Sequence, residues 1–171
     1  MYILGINAYH GDSAACLLKD GFVVCASEEE RFRRIKHWAG FPSESIKFCL
    51  NDQGISINDI DYITISRDIT VNFTKKILYV LKNSSYSFIW DKIKNYNKLN
   101  SIKKDFALLF NVSEKYIENK IYNIEHHRSH IASSFFASNF EESAILSVDG
   151  FGDFTSTMMA VGKKNKFKIL N

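Results

Sequence analysis

Three of the five histidines in this 171-residue sequence fall in one run, His126-His127-Arg128-Ser129-His130. His126 and His130 are four residues apart, so on a helix their rings share one face about a turn from each other. Two imidazoles placed that way can hold a single metal ion. His127 points elsewhere and suits a substrate contact or a structural role. No Glu follows His126, so the zinc-protease pattern H-E-x-x-H lacks its general base here. A polar helix start whose histidines only solvate or cap would show the same residues.

A second cluster, Val148-Asp149-Gly150-Phe151-Gly152-Asp153, follows the apolar run Ala144-Ile145-Leu146. A strand ending in D-G-x-G presents a carboxylate at its tip, then glycines that let backbone amides approach phosphate oxygens. Asp149 could add an oxygen ligand to an ion held by His126 and His130, and such mixed coordination suits iron, manganese or zinc. A β-turn needing glycine only for its positive φ is the competing reading. A third cluster, Asn7 to Ser13, places His10 at a strand-to-strand turn. A histidine there is a candidate general base toward a hydroxyl. Asp12 and Ser13 could orient a phosphate-bound metal or a water, although turns are rich in these residues anyway. The fourth, Glu28 to His37, runs acidic then basic. It reads as a solvated face with local ion pairs, or as a source of phosphate contacts from Lys36 or an arginine.

These residues need elements to position them. Residues 1–8, 13–19 and 22–28 read as three short strands, with Asp20-Gly21 as a turn, and so as an antiparallel meander. Apolar spacing predicts a helix over 43–53, with Ser43 near its cap and Gly54 as its stop. A strand at 60–66 follows, then helices at 70–83, 87–95 and 98–110, and a short strand at 120–124. The histidine run opens a helix at 127–138, before strands at 143–149, 154–162 and 166–170. That order is α/β in class, a mixed sheet flanked by helices. The length suits one domain with a real core.

Composition narrows the function classes. Hydrophobic residues make up 46% and charged residues 24%, ordinary values for a globular protein. A net charge of +3 calls for neither nucleic acid nor an acidic membrane as partner. Aromatics and lysines interleave at 86–98, where an amphipathic helix is a better reading than base stacking. The lysine-rich stretch 163–168 reads as a turn between strands. Cys16, Cys25 and Cys49 form no C-x-x-C pair, and Cys16 and Cys25 sit in apolar runs as small hydrophobes. Reduced thiols, no signal-like leader and no apolar run approaching the ~20 residues of a membrane span point to the cytoplasm.

The clusters gain force from their order. G-I-N-x-x-H-x-D-S-A-A, a D-G hairpin, E-E-E-R-F-x-R-x-K-H, H-H-x-x-H and V-D-G-x-G succeed one another between Gly5 and Gly162. That succession resembles the carbamoyltransferase family of nodulation-factor, aminoglycoside and cephalosporin O-carbamoylating enzymes. The resemblance implies an actin/Hsp70/sugar-kinase-like ATPase fold, with residues 1–171 as the first lobe. It implies that a second lobe and a separate adenylate-forming domain lie outside this stretch, on the same or a second chain. In that family carbamoyl phosphate and ATP give carbamoyl-adenylate, and the carbamoyl group then passes to a hydroxyl of a small-molecule acceptor. By motif, His126, His130 and Asp149 resemble ligands to a divalent metal of iron type. His10 resembles the proton acceptor for the incoming hydroxyl, and Lys36 a nucleotide-contacting lysine. Asp12, Ser13, Gly150 and Gly152 fall where phosphate loops would lie. A non-catalytic subunit of the same fold, binding metal or nucleotide and needing a partner chain, is the alternative.

Overall fold

The computed structural model describes residues 1–83 and 101–170. In chain order the first elements are β1 (Tyr2–Asn7), β2 (Ala14–Lys19), β3 (Phe22–Glu28), α1 (Glu30–Arg33), α2 (Ser43–Asp52), β4 (Tyr62–Ile65) and α3 (Phe73–Asn83). Then come α4 (101–110), α5 (Glu114–Glu118), β5 (Ile121–Asn123), α6 (His126–Phe136), β6 (Glu142–Gly152), β7 (Thr155–Lys163) and β8 (Lys166–Leu170). Contacts divide the chain into two compact units. One holds the described residues of 1–65 and 101–122, the other 66–83 and 123–170.

The first unit is built on a five-stranded mixed sheet, ordered β3-β2-β1-β4-β5. β1, β2 and β3 form the expected antiparallel meander, and β1 pairs with β4 in parallel. Asp20 and Gly21 turn the second hairpin, both at positive φ, as a tight right-twisted hairpin requires. Strand alternation sends Leu4 and Leu17 fully inward, against Ile63, Ile46 and Phe106. In α2 the buried side chains are Ser45, Ile46, Cys49 and Leu50, the spacing of one helical face. Gly54 stops that helix region at φ +63. Cys49 is buried, while Cys16 and Cys25 are half-buried and all three thiols are free.

Ser43 stands next to the cap of α2, as expected: the N-cap is Pro42, which offers no side-chain acceptor. The open amides bond instead to Glu29, whose carboxylate accepts from Ser45 N at 2.8 Å, Glu44 N at 3.2 Å and Ser45 Oγ at 3.0 Å. Arg33 Nε adds a charge-assisted bond at 2.9 Å. The acidic–basic block is therefore not a uniformly solvated face, because Glu29 is fully buried. A helix start supplies both donors and a positive dipole end, which together replace the lost hydration. α5 was not foreseen either. It has five residues, too few to show a period, and starts where Ser113 Oγ accepts from Tyr116 N.

The second unit packs α6 on the antiparallel sheet β6-β7-β8. Ile131 and Phe135 of α6 meet Ile145 and Ala160. Gly162 admits the Phe135 ring, since a Cβ there would lie 2.5 Å from it. β6 runs longer than expected, to Gly152, and the lysine-rich stretch is a turn only at 164–165. The helix expected at 87–95, the 98–100 start of the next, and the aromatic–lysine segment up to Lys98 lie outside the described residues. Among the described residues no helix is long and apolar enough to cross a membrane.

Burial alone would raise the pKa of Glu29, but the amides of Ser45 and Glu44 and the Arg33 guanidinium outweigh it and hold it below 4.5. A depressed folded pKa stabilises fully above the unfolded value, and that contribution is lost as pH falls through the folded one. Glu29→Ala is expected to destabilise the protein by on the order of 2 kcal/mol at pH 7, the upper end for a lost helix cap. The gap from wild type should shrink in acid. Urea unfolding at both pH values checks this, and a variant with the wild-type midpoint at pH 7 would contradict it.

Candidate metal centre

The first turns of α6 carry the histidines. The helix begins one residue earlier than expected, at His126, after Glu125, whose side chain accepts from Arg128 N. With four residues between them, His126 and His130 stand on one face, their ring centroids 4.6 Å apart. Their Nε2 atoms lie 3.1 Å from each other. Asp149, at the far end of β6, brings Oδ2 to 2.6 Å from His126 Nε2 and 3.6 Å from His130 Nε2. Three donor atoms thus converge within 4.8 Å.

That triangle fits a metal. Ligands at about 2.1 Å from one ion lie about 3.0 Å apart when cis in an octahedron and about 3.4 Å apart in a tetrahedron. Two imidazoles and one carboxylate on one side, with His130 and Asp149 more than one-third exposed, leave coordination positions open toward solvent. This is the ligand set of facial-triad iron sites. Without an ion, a proton on His126 Nε2 bridges to Asp149. That bond, with a second from Gly150 N, holds the Asp149 carboxyl well below the usual range, at about 2. The carboxylate is therefore ionised, as a ligand must be.

His127 faces the other way and is fully buried. Its Nδ1 lies 2.8 Å from Ser147 Oγ, and its Nε2 lies 2.9 Å from the Thr155 carbonyl. The carbonyl can only accept, so Nε2 carries the proton and Ser147 donates to Nδ1. Its role is to join α6 to β6 and β7, not to meet substrate.

The competing reading of this hairpin's glycines, a turn that needs their positive φ, does not hold. Neither Gly150 nor Gly152 has positive φ; the turn is made by Asp153 and Phe154, at φ 48° and 68°. Gly152 is needed for space: a Cβ there would sit 2.0 Å from Cδ2 of the His126 ring. Gly150 meets no such neighbour. Three residues to which the sequence assigned no role, Asp153, Asp68 and Asn72, support this hairpin. Asp153 Oδ2 accepts from both His126 N at 2.9 Å and Asp68 N at 2.8 Å. Asn72 Nδ2 reaches the Asp153 carbonyl. The second Asp of D-G-F-G-D was the only available signal.

The remaining candidates belong to the first unit. His10 is exposed, and among the described residues its ring has no hydrogen-bond partner. Asn7 Nδ2 holds the loop after it by donating to the carbonyls of Gly11 and Asp12. Ser13 is buried, and its hydroxyl is shared between the carbonyls of His10 and Gly40; in this conformation it closes the turn. Asp12 pairs at 2.8 Å with Nδ1 of His37. Lys36, one residue earlier, is exposed.

Residues 2–171 match the family described as "Carbamoyltransferase N-terminus". An uncharacterised protein of Synechocystis is 41% identical over 96% of this chain and 28% of its own length. The nodulation protein NolNO of Sinorhizobium fredii is 36% identical over 96% of this chain and 23% of its own. An uncharacterised protein of Methanocaldococcus jannaschii is 27% identical over 98% and 26%. The chain thus spans about a quarter of the length of these relatives. Among solved structures, YeaZ from Pseudomonas aeruginosa aligns with 99% of this chain and 64% of its own at 8% identity and TM-score 0.48, a likeness too weak to bear on the fold.

The bond to Asp12 raises the pKa of His37 above 6.5. A raised folded pKa makes the contact fully present below the free value and lost as pH rises through the folded one. Asp12→Asn should return the His37 titration midpoint toward 6.5, read by NMR of the ring protons. A midpoint that the substitution leaves in place would contradict the pairing.

Proposed function

The chain belongs to the Carbamoyltransferase N-terminus family over residues 2–171, and from that premise we propose that it supplies a metal half-site and a hydroxyl-activating histidine for O-carbamoyl transfer. The observation that carries this reading is the convergence of His126, His130 and Asp149. Because the relatives are about four times as long, the complete reaction is proposed for the full-length enzyme. This stretch, read as the first lobe of an actin-like ATPase fold, contributes part of its site.

An ion of iron type held there would supply Lewis acidity toward the carbamoyl carbonyl. His126 and His130 would hold it through Nε2, and Asp149 through its carboxylate. His10 takes the proton of the acceptor hydroxyl as that oxygen bonds to the carbamoyl carbon. The carbon–oxygen bond to the adenylate phosphate breaks, and AMP leaves with the electron pair. Its imidazole is exposed and, among the described residues, has no competing hydrogen-bond partner. Lys36 contributes positive charge to the departing nucleotide, and Asp12 shapes the loop that presents His10. The donor is carbamoyl-adenylate, made from carbamoyl phosphate and ATP elsewhere in the enzyme. The acceptor in this reading is a hydroxyl of a small molecule.

Calorimetric titration of the purified chain with ferrous, manganous or zinc ions should give one site per chain. His126→Ala and His130→Ala should each weaken it beyond the 10–100-fold typical of outer-shell changes. His10→Asn should leave metal binding unchanged and slow transfer by ~10²–10⁴-fold, measured in the complete enzyme with adenylate supply held constant. Full transfer by His10→Asn would remove its role, and metal binding indifferent to both alanine variants would remove the half-site.

A further inference from the structure

The hairpin that offers Asp149 carries a second carboxylate four residues on, pointed at the helix rather than at the ligand atoms. We propose that Asp153 is a positioning residue for the metal half-site, and that Gly152 clears the seat for the ring it positions. This rests on the reading of His126, His130 and Asp149 as ligands.

The argument begins with the hairpin. Asp153 and Phe154 both adopt positive φ, a conformation unusual for Asp and costly for Phe. Such a turn persists only where surrounding contacts hold it. The Asp153 carboxylate oxygen Oδ2 receives two backbone amides, His126 N at the start of α6 and Asp68 N before α3. The Asp153 carbonyl receives Asn72 Nδ2 at 3.2 Å, and the same amide group reaches Thr155 Oγ1 across the turn. Phe154 packs edge-on against Tyr79 of α3, with centroids 5.6 Å apart. The turn is thus gripped on both sides, and what it grips in α6 is the backbone of the first histidine ligand.

Two consequences follow for the ligands. Asp149 and Asp153 lie on one hairpin, so the amide bond at 153 fixes how far the 149 carboxylate stands from the His126 ring. A methyl group at 152 would occupy ring space outright, at 2.0 Å from Cδ2. There is also a charge argument. The N-terminus of α6 is the positive end of a helix dipole and by itself disfavours a nearby cation. Asp153, bonded to that terminus, and Glu125, its N-cap, both offset it. Asp153 therefore sets the geometry and the local charge together, and substitutions can separate them. Asn keeps an oxygen acceptor and drops the charge, whereas Ala drops both.

The test uses the 171-residue chain and cobalt(II), whose visible absorption reports coordination geometry. Wild type should bind with a defined spectrum. Asp153→Ala should bind 10–100-fold more weakly, with an altered spectrum. Asp153→Asn should recover most of the spectral shape while remaining weaker than wild type. Gly152→Ala, which changes no charge, should also alter the spectrum by displacing the ring. In metal-free protein the His126–His130 ring contact, read as a nuclear Overhauser effect, should be strong in wild type and lost in Asp153→Ala. That last readout needs no metal. A wild type that takes no cobalt sinks the proposed metal function, while the ring contact still decides the positioning claim. Wild-type affinity and spectrum in Asp153→Ala, or an unchanged ring contact in a folded Asp153→Ala, overturns it.

Discussion

Bringing donor atoms of two imidazoles and a carboxylate to 2.6, 3.1 and 3.6 Å from one another demands that a helix start and a hairpin tip approach almost to contact. The rest of the second unit is arranged to satisfy that demand. α6 is laid on its sheet by Ile131 and Phe135 and registered by the buried His127. Gly152 allows the approach and Asp153 fastens it. His130 and Asp149 are exposed and His126 is half-buried, so their order comes from the buried and hydrogen-bonded groups behind them.

The first unit meets a similar demand with different chemistry. Its meander ends in a carboxylate, Glu29, that becomes the cap of a helix beginning fourteen residues later. That bond, with Arg33, closes the segment in which Lys36 and His37 stand. On the other side, Asn7 and Ser13 fold the loop that exposes His10. Backbone carbonyls, the Asn7 amide and the Ser13 hydroxyl do the holding, and among the described residues the imidazole is left unpartnered. Both units thus bury the supporting polar groups and leave the reactive ones accessible.

Much of this was legible in the sequence, for local reasons. The meander follows from strand alternation and a D-G turn, and α2 and α6 from helical spacing. The pairing of His126 with His130 needs only a helix through both. Asp149 was legible as a strand-end carboxylate following those histidines. What was hidden depends on distant parts of the chain. Glu29 sits in a charge run that looks solvent-facing until α2 folds back over it. Gly152 looks like a turn residue, yet the turn falls one step later and the glycine serves a ring 26 residues upstream. Asp153 looks like the tail of a polar turn, and its partners at 68 and 126 come from two other segments. Sequence spacing reports periodic faces well, and it carries no trace of which amide a remote carboxylate will find.

The most direct measurement of the central claim is X-ray absorption at the iron edge of the ferrous-loaded chain. Two imidazoles and a carboxylate should produce nitrogen and oxygen scatterers at about 2.1 Å, with the outer-shell signature of two imidazole rings. Loss of one ring signature in His130→Ala would place that residue at the ion. Sulfur scatterers, or a shell of oxygens with no imidazole signal, would mean that the ion binds elsewhere and that this triangle of side chains is not a metal site.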